Sequence, residues 1–238
     1  MKQFTQYITL SMEHNIKHLA VIMDGNRRWA TQRGLPKLVG HSEGAKAFKK
    51  LVEAANERGI EYLTTWGLST ENLQRSEEEL KHLFDLMSKI TDYLGDFKKN
   101  NVRFNTIGDM SRIPQNVQNK FSELKEETKN HTGLTLNLAI AYGGRDEIVR
   151  ATKKIIEAGL TSKEVTETTF ENYLDTAGMP EVDMVIRTGG HQRLSGYLAW
   201  QTTYAELYYT DLMFPDFSPE ELDKAIQWFT EQERKRGK

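Results

Sequence analysis

The chain has 238 residues, 38% hydrophobic and 28% charged, with a formal net charge of -2 and no cysteine. That length supports a full α/β core, while the charge excludes a general nucleic-acid binder, which needs a basic balance to neutralise phosphates. The missing cysteines remove disulfides, thiol chemistry and thiolate metal sites, and no apolar segment approaches the ~20 residues of a membrane span.

Met1 to Lys17 is polar and lacks the apolar core of a signal peptide. Residues 1–17 are expected to be a flexible arm, and 18–238 a single domain. Leu19 to Met23 reads as a buried strand ending in Asp24-Gly-Asn-Arg-Arg28. Ala30 to Gly40 reads as a Gly- and Pro-bearing loop, and His41 to Arg58 as a helix stopped by Gly59. Ile60 to Leu68 is a Thr-, Tyr- and Trp-rich strand. Ser76 to Glu79 is a capping box opening a long helix with Leu80, Leu83, Phe84, Met87, Ile90 and Leu94 on one stripe. Further strands are expected at Val102 to Ile107, Leu134 to Ala141, Val182 to Ile186 and Leu207 to Thr210. Between them lie a helix over Pro114 to Lys129, one carrying Ile148, Ile155 and Ile156, and a short one around Phe170 to Leu174. Ser218-Pro219, followed by a capping-box Glu, starts a last helix that ends in the basic tail Arg234 to Lys238. Alternating strands and helices predict an α/β fold: a mainly parallel central sheet of about six strands, flanked by helices.

The chemistry repeats at strand ends. Asp24-Gly-Asn-Arg-Arg28, Ser69 to Arg75, Tyr142-Gly-Gly-Arg145 and Arg187-Thr-Gly-Gly-His-Gln-Arg-Leu-Ser195 each follow an expected strand. In a parallel sheet those ends share one edge, where ligands bind. Each turn alone is ordinary loop chemistry. Together they gather Arg28, Arg75, Arg187 and Arg193 at one rim, a pattern suited to a diphosphate. A carboxylate among those cations makes sense if Mg²⁺ bridges Asp24 and phosphate, with Glu206 and Glu71 as the leading candidate partners. Neither a Gly-x-x-x-x-Gly-Lys-Ser/Thr loop nor a Gly-x-Gly-x-x-Gly fingerprint is present.

These stretches, with Gly40-His41, Asn105 to Ser111 and Tyr204-Ala-Glu-Leu207, resemble the cis-prenyltransferases of the undecaprenyl diphosphate synthase family over essentially the whole chain after the leader. The resemblance implies an Mg²⁺-dependent transferase that adds isopentenyl diphosphate, with Z geometry, to an allylic primer such as farnesyl or geranyl diphosphate. The product would be a polyprenyl diphosphate, a lipid-carrier precursor. It implies a homodimer enclosing an apolar tunnel, its wall formed by Leu80 to Leu94, Gly67, Leu68 and Leu136 to Ile140. It places the protein in the cytoplasm, with peripheral membrane association through the lipid product as a further expectation. By the same resemblance, Asp24 is the metal-linked catalytic acid, and Gly25, Asn26, Arg27 and Arg28 cradle the allylic diphosphate. Trp29, Lys37 and His41 line or flank that site. Ser69, Thr70, Glu71, Asn72, Leu73 and Arg75 form the second family stretch, Asn72 handling a proton. Arg187, Arg193, Leu194 and Ser195 hold isopentenyl diphosphate, and Glu206 helps to bind Mg²⁺. The chain departs from the family pattern at Lys37, Leu73, Ser76 and His191-Gln192, and its terminal Lys235-Arg-Gly237 alters a motif associated with the dimer partner. A short-chain Z-prenyl diphosphate synthase and a non-catalytic subunit of a heteromeric enzyme are the alternatives.

Overall fold

Six parallel strands set the frame: β1 (His18–Ile22), β2 (Tyr62–Ser69), β3 (Arg103–Ile107), β4 (Thr135–Tyr142), β5 (Met184–Arg187) and β6 (Glu206–Tyr209). The computed structural model describes residues 14–233. The strands lie in the order β3-β4-β2-β1-β5-β6, so β2, β3 and β4 lie on one side of β1, with β4 inserted between β2 and β3, and β5 and β6 lie on the other. That change of side opens a crevice beyond the carboxyl ends of β1 and β5.

Alternation along the strands divides the core into two layers. Leu19 and Val21 of β1, Leu136 and Leu138 of β4, and Ile186 of β5 face one way. Against them pack α2 (Lys37–Glu57), α3 (Glu77–Ser88), α4 (Leu94–Lys99), α5 (Gln115–Thr128) and α8 (Pro219–Thr230), through residues such as Leu51, Leu83, Phe97, Phe121 and Phe229. Ala20, Ile22, Ala139 and Val185 face the other way, onto Tyr197 and Leu198. A polar chain crosses this second face. The His18 ring lies 2.7 Å from Thr64 Oγ1, Asn137 Nδ2 donates to Thr64 (3.2 Å), and Asn105 Nδ2 donates to Asn137 (3.1 Å). Such buried polar groups persist because each has a partner.

Several elements differ from expectation. Much of the expected loop over Ala30 to Gly40 is helical: α1 (Asn26–Gln32) covers its start, and α2 begins at Lys37. Gly34, at φ 66°, ends α1 and Pro36 precedes α2, so both residues punctuate helices instead of filling a loop. The long helix after Ser76 breaks into α3, a 3-10 turn over Lys89–Tyr93, and α4. At the break Lys120 Nζ donates to the Ser88 carbonyl (3.2 Å). Ser76 accepts from the Glu79 N–H (3.4 Å), but the Glu79 carboxylate turns to the site instead of closing a capping box. Ser218, by contrast, makes no cap bond and donates to Glu220 instead. The reciprocal box is at Thr166, where α7 (Glu167–Glu171) begins before the expected Phe170. Of the α6 isoleucines (Gly144–Glu157), Ile155 is buried and Ile156 is exposed.

Within the expected 1–17 arm, residues 14–17 are held against the body. Ile16 is buried, and the Lys17 N–H donates to Asp183 Oδ2 (2.8 Å). Residues 1–13 and the Lys235-Arg-Gly237 motif lie outside the described residues.

Candidate active site

β1 delivers Asp24 to the crevice and β5 delivers Arg187, whose backbone is paired with Ile22. The Arg187 guanidinium is almost wholly buried. Its Nη2 donates to Asp24 Oδ2 (3.0 Å), while its Nη1 donates to Ser195 Oγ (3.0 Å) and to the Arg193 carbonyl. Arg28, one helical turn on from Asp24, donates to Asp24 Oδ1 (3.2 Å). Burial pushes the Asp24 pKa up, but the Arg187 hydrogen bond and the charges of Arg28 and Arg187 outweigh it and hold the carboxyl below its ordinary value. Asp24 is therefore an anion clamped by two cations. The turn Arg187-Thr-Gly-Gly190 approaches this clamp so closely that a Cβ on Gly189 (φ 83°) would lie 2.7 Å from Arg28 Nη2 and 3.1 Å from the Asp24 carbonyl.

A second charged group stands opposite. Glu79, at the start of α3, accepts from Arg75 Nη1 (2.8 Å), lies 3.0 Å from His41 Nε2 and 3.8 Å from Arg27 Nε. Burial raises the Glu79 pKa, yet the His41 hydrogen bond and the arginine charges bring it below the ordinary value. Burial, helped by the charges of Arg75 and His82, lowers that of His41 against the opposing pull of Glu79, favouring a neutral ring. α2 passes close to α1 because its Gly44 carries no side chain: a Cβ there would lie 2.3 Å from Asn26 Oδ1. That oxygen and Arg187 Nε are buried without a partner among the described residues.

Between the two groups opens a cavity of about 570 Å³. Its polar mouth is formed by Asp24, Asn26, His41, Ser69, Arg75 and Arg187, with Glu71, Asn72 and Ser195 beside them. The rest of its lining is mainly apolar, with Phe48, Leu83, Leu86, Met87, Ile90 and Leu138, joined by Lys89 and Tyr93. Such a surface suits an amphiphile with an anionic head and a hydrocarbon tail.

The other expected residues divide. Gly25 (φ 108°) turns the chain from β1 into α1. Thr70 packs on Gly143, Leu73 packs on the main core and Leu194 on the second-face core. Arg193 is exposed, as is Lys37 at the start of α2. Trp29 donates to Asp216 Oδ1 (2.7 Å), and Arg33 stacks over its ring at 4.3 Å. Of the expected tunnel wall, Gly67, Leu83, Met87, Ile90 and Leu138 line the cavity, whereas Leu68, Leu136 and Ile140 are packed into the core. Neither His191 nor Gln192 lines it. Glu206 is not brought to Asp24 within the chain. It opens β6 opposite Met184, three residues before the Arg187–Tyr209 pairing, roughly 10 Å down the strand direction. Among the described residues, no three His, Asp or Glu side chains cluster to hold a metal.

Glu79, Asp216 and Trp66 escaped the sequence reading. Glu79 stands four residues after Arg75, a spacing that pairs charges on one side of a helix. Trp66 and Asp216 carry no local signal.

The model of the prenyltransferase family described as undecaprenyl diphosphate synthase matches residues 22–237. The chain belongs to this family. An isoprenyl transferase of Fusobacterium nucleatum is 45% identical over 228 residues, covering 95% of this chain and 98% of that protein. One from Clostridium tetani is 42% identical over 233 residues, 96% of this chain and 91% of the relative. The crystal structure of lavandulyl diphosphate synthase from Lavandula x intermedia, in complex with dimethylallyl diphosphate, superposes with a TM-score of 0.90 at 34% identity. It covers 94% of this chain and 98% of its own. A Campylobacter jejuni protein described as a probable undecaprenyl diphosphate synthase gives 0.79 at 38% identity, over 95% of this chain and all of that one. The prenyltransferase thus presents clamped Asp24, buried Arg187 and the apolar cavity on a fold its relatives share, and no described helix is long and apolar enough to cross a membrane.

Proposed function

We propose that this prenyltransferase condenses isopentenyl diphosphate with an allylic diphosphate, farnesyl or geranyl, giving a Z-polyprenyl diphosphate that serves as a lipid-carrier precursor. The observation that carries the reading is Asp24 clamped between Arg28 and Arg187 at the mouth of a cavity whose remaining lining is mainly apolar. In this reading the anionic heads of the substrates meet the guanidinium groups, and hydrocarbon fills the space toward Met87 and Ile90. Arg187 and Ser195 hold one diphosphate, with Arg193 beside them. Arg28 and the backbone around Gly25 and Asn26 hold the other. Fixing both heads sets the reacting carbons against each other, which replaces a chance encounter by a held geometry.

The donor set fits Mg²⁺ shared with substrate. Two carboxylates line the cavity, Asp24 and Glu71, each held below its ordinary pKa, and Mg²⁺ commonly binds one or two carboxylates and completes its shell with phosphate oxygens and water. When bound, the ion would stabilise negative charge on the departing diphosphate. Glu206 would join only across an interface between two copies, so the reading includes a homodimer. Association with a membrane would come through the lipid product.

A shorter product is the second reading. A cavity of about 570 Å³ lies in the range that encloses an ordinary small molecule, so a long chain must push the wall aside or emerge. Incubation with labelled isopentenyl diphosphate, a series of allylic primers and Mg²⁺, followed by product sizing, tests both. Incorporation that depends on primer and Mg²⁺ is expected. No incorporation with any primer overturns the proposal.

A further inference from the structure

Trp66 is half-buried and belongs to the lining of the cavity. Its indole N–H donates to the Tyr142 carbonyl (3.2 Å), and its ring stacks on Tyr197 at 4.8 Å with an interplanar angle of 15°. Those two contacts fix the plane and leave the ring little freedom. Its place follows from the sheet. Val21 is paired with Thr65, and Ile22 with Arg187. One rung on, Trp66 therefore stands beside Ile22, with Arg187 on Ile22's other side. Strands lie ~4.8 Å apart, so the Trp66 and Arg187 backbones are separated by roughly 10 Å. Trp66 and Ile22 belong to the same core layer, and strand alternation puts Arg187 on that side as well. All three line the cavity.

A diphosphate held by Arg187 and Ser195 thus carries its five-carbon tail over Ile22 toward an immobilised indole. We propose that Trp66 is a catalytic residue whose π-system stabilises the positive charge that forms on the isopentenyl unit during condensation. This rests on the reading of the cavity given above. In the reaction the allylic C–O bond breaks, and its electron pair leaves with the diphosphate. The alkene π pair of isopentenyl diphosphate forms the new carbon–carbon bond, and the charge comes to rest on its tertiary carbon. Loss of a neighbouring proton to a diphosphate oxygen returns a pair as the new double bond. The indole undergoes no covalent change; it lowers the energy of the cationic stage, as aromatic faces do for cations held over them. Arg187 cannot serve this purpose, because a guanidinium repels the charge that Trp66 attracts.

The test replaces Trp66 alone with mono-, di- and trifluorotryptophan, which weaken the π-system stepwise while barely changing ring size, and measures single-turnover rates at saturating substrate. A stepwise fall reaching about tenfold is expected, with KM for both diphosphates within about threefold. Trp66→Phe should lie within the series, and Trp66→Leu below it. A flat fluorination series overturns the proposal even if Trp66→Leu is inactive, because packing alone is indifferent to ring electronics. A wild-type chain that fails to incorporate label with every primer overturns the underlying reading, and this assignment with it.

Discussion

Replacing Asp24 by Asn separates the two jobs given to that carboxylate. In the structure Oδ2 accepts from buried Arg187 and Oδ1 from Arg28, at 3.0 and 3.2 Å. An amide can keep one of these bonds but not both, and its NH₂ then faces a guanidinium donor. Hydrogen bonds to charged groups are worth about 1.5–3 kcal/mol each. Part exposure of Asp24 discounts this, so D24N should cost about 2 kcal/mol. For a chain of this size that is a Tm lower by roughly 4–8 °C, and a folded protein. Turnover should fall at least about a thousandfold if Asp24 anchors a metal ion that offsets the leaving-group charge. Pyrophosphate binding without metal should hold or tighten, by up to about tenfold, because a negative charge has left a cationic site. Calorimetric titration of D24N with pyrophosphate, with and without Mg²⁺, alongside steady-state turnover, reads each quantity. Turnover within tenfold of wild type, or Mg²⁺-enhanced pyrophosphate binding as strong as wild type, refutes the reasoning.

Gly44→Ala should destabilise despite alanine's better helix propensity, since its Cβ would meet Asn26 Oδ1 at 2.3 Å; overpacking costs about 1–3 kcal/mol, and a raised Tm sinks the argument. Gly67→Leu should shorten the products, because a Cβ there already lies 3.1 Å from Leu138 Cδ1 and 3.5 Å from Met87 Cε; an unchanged longest product on chromatography counts against this wall. Stability should also depend on two histidines. Burial lowers the pKa of His18 and of His41, so the unfolded chain takes up protons before the folded one as pH falls through about 6.5. Stability is then lost below that pH, with a slope of up to about 1.4 kcal/mol per pH unit for each histidine. Urea unfolding across that range checks the sign, and a flat or rising stability on acidification contradicts it.

Much of the frame is written locally. Leu19 to Ile22, Leu138 to Ala141 and Val185-Ile186 are short apolar runs that read as buried strands between helices, and a parallel sheet follows from the alternation. Asp24, Ser69 and Arg187 could be placed on one rim for the same reason, since every parallel strand ends there. Local signals failed where a residue's partner is remote. Ser76 and Glu79 spell a capping box, yet His41 and Arg75 offered the carboxylate a stronger, charge-assisted bond. Gly34 and Pro36 look like loop residues until α1 and α2 are seen to end and begin at them. Glu206 sits in a family motif, but its distance from Asp24 depends on strand register, a pairing with β5 that no stretch of sequence expresses. The depth of the cavity and the seat of Trp66 likewise arise from helices packing across a sheet. Periodicity and turn chemistry act between near neighbours in the chain, whereas a site is made by groups that meet only after the layers have closed.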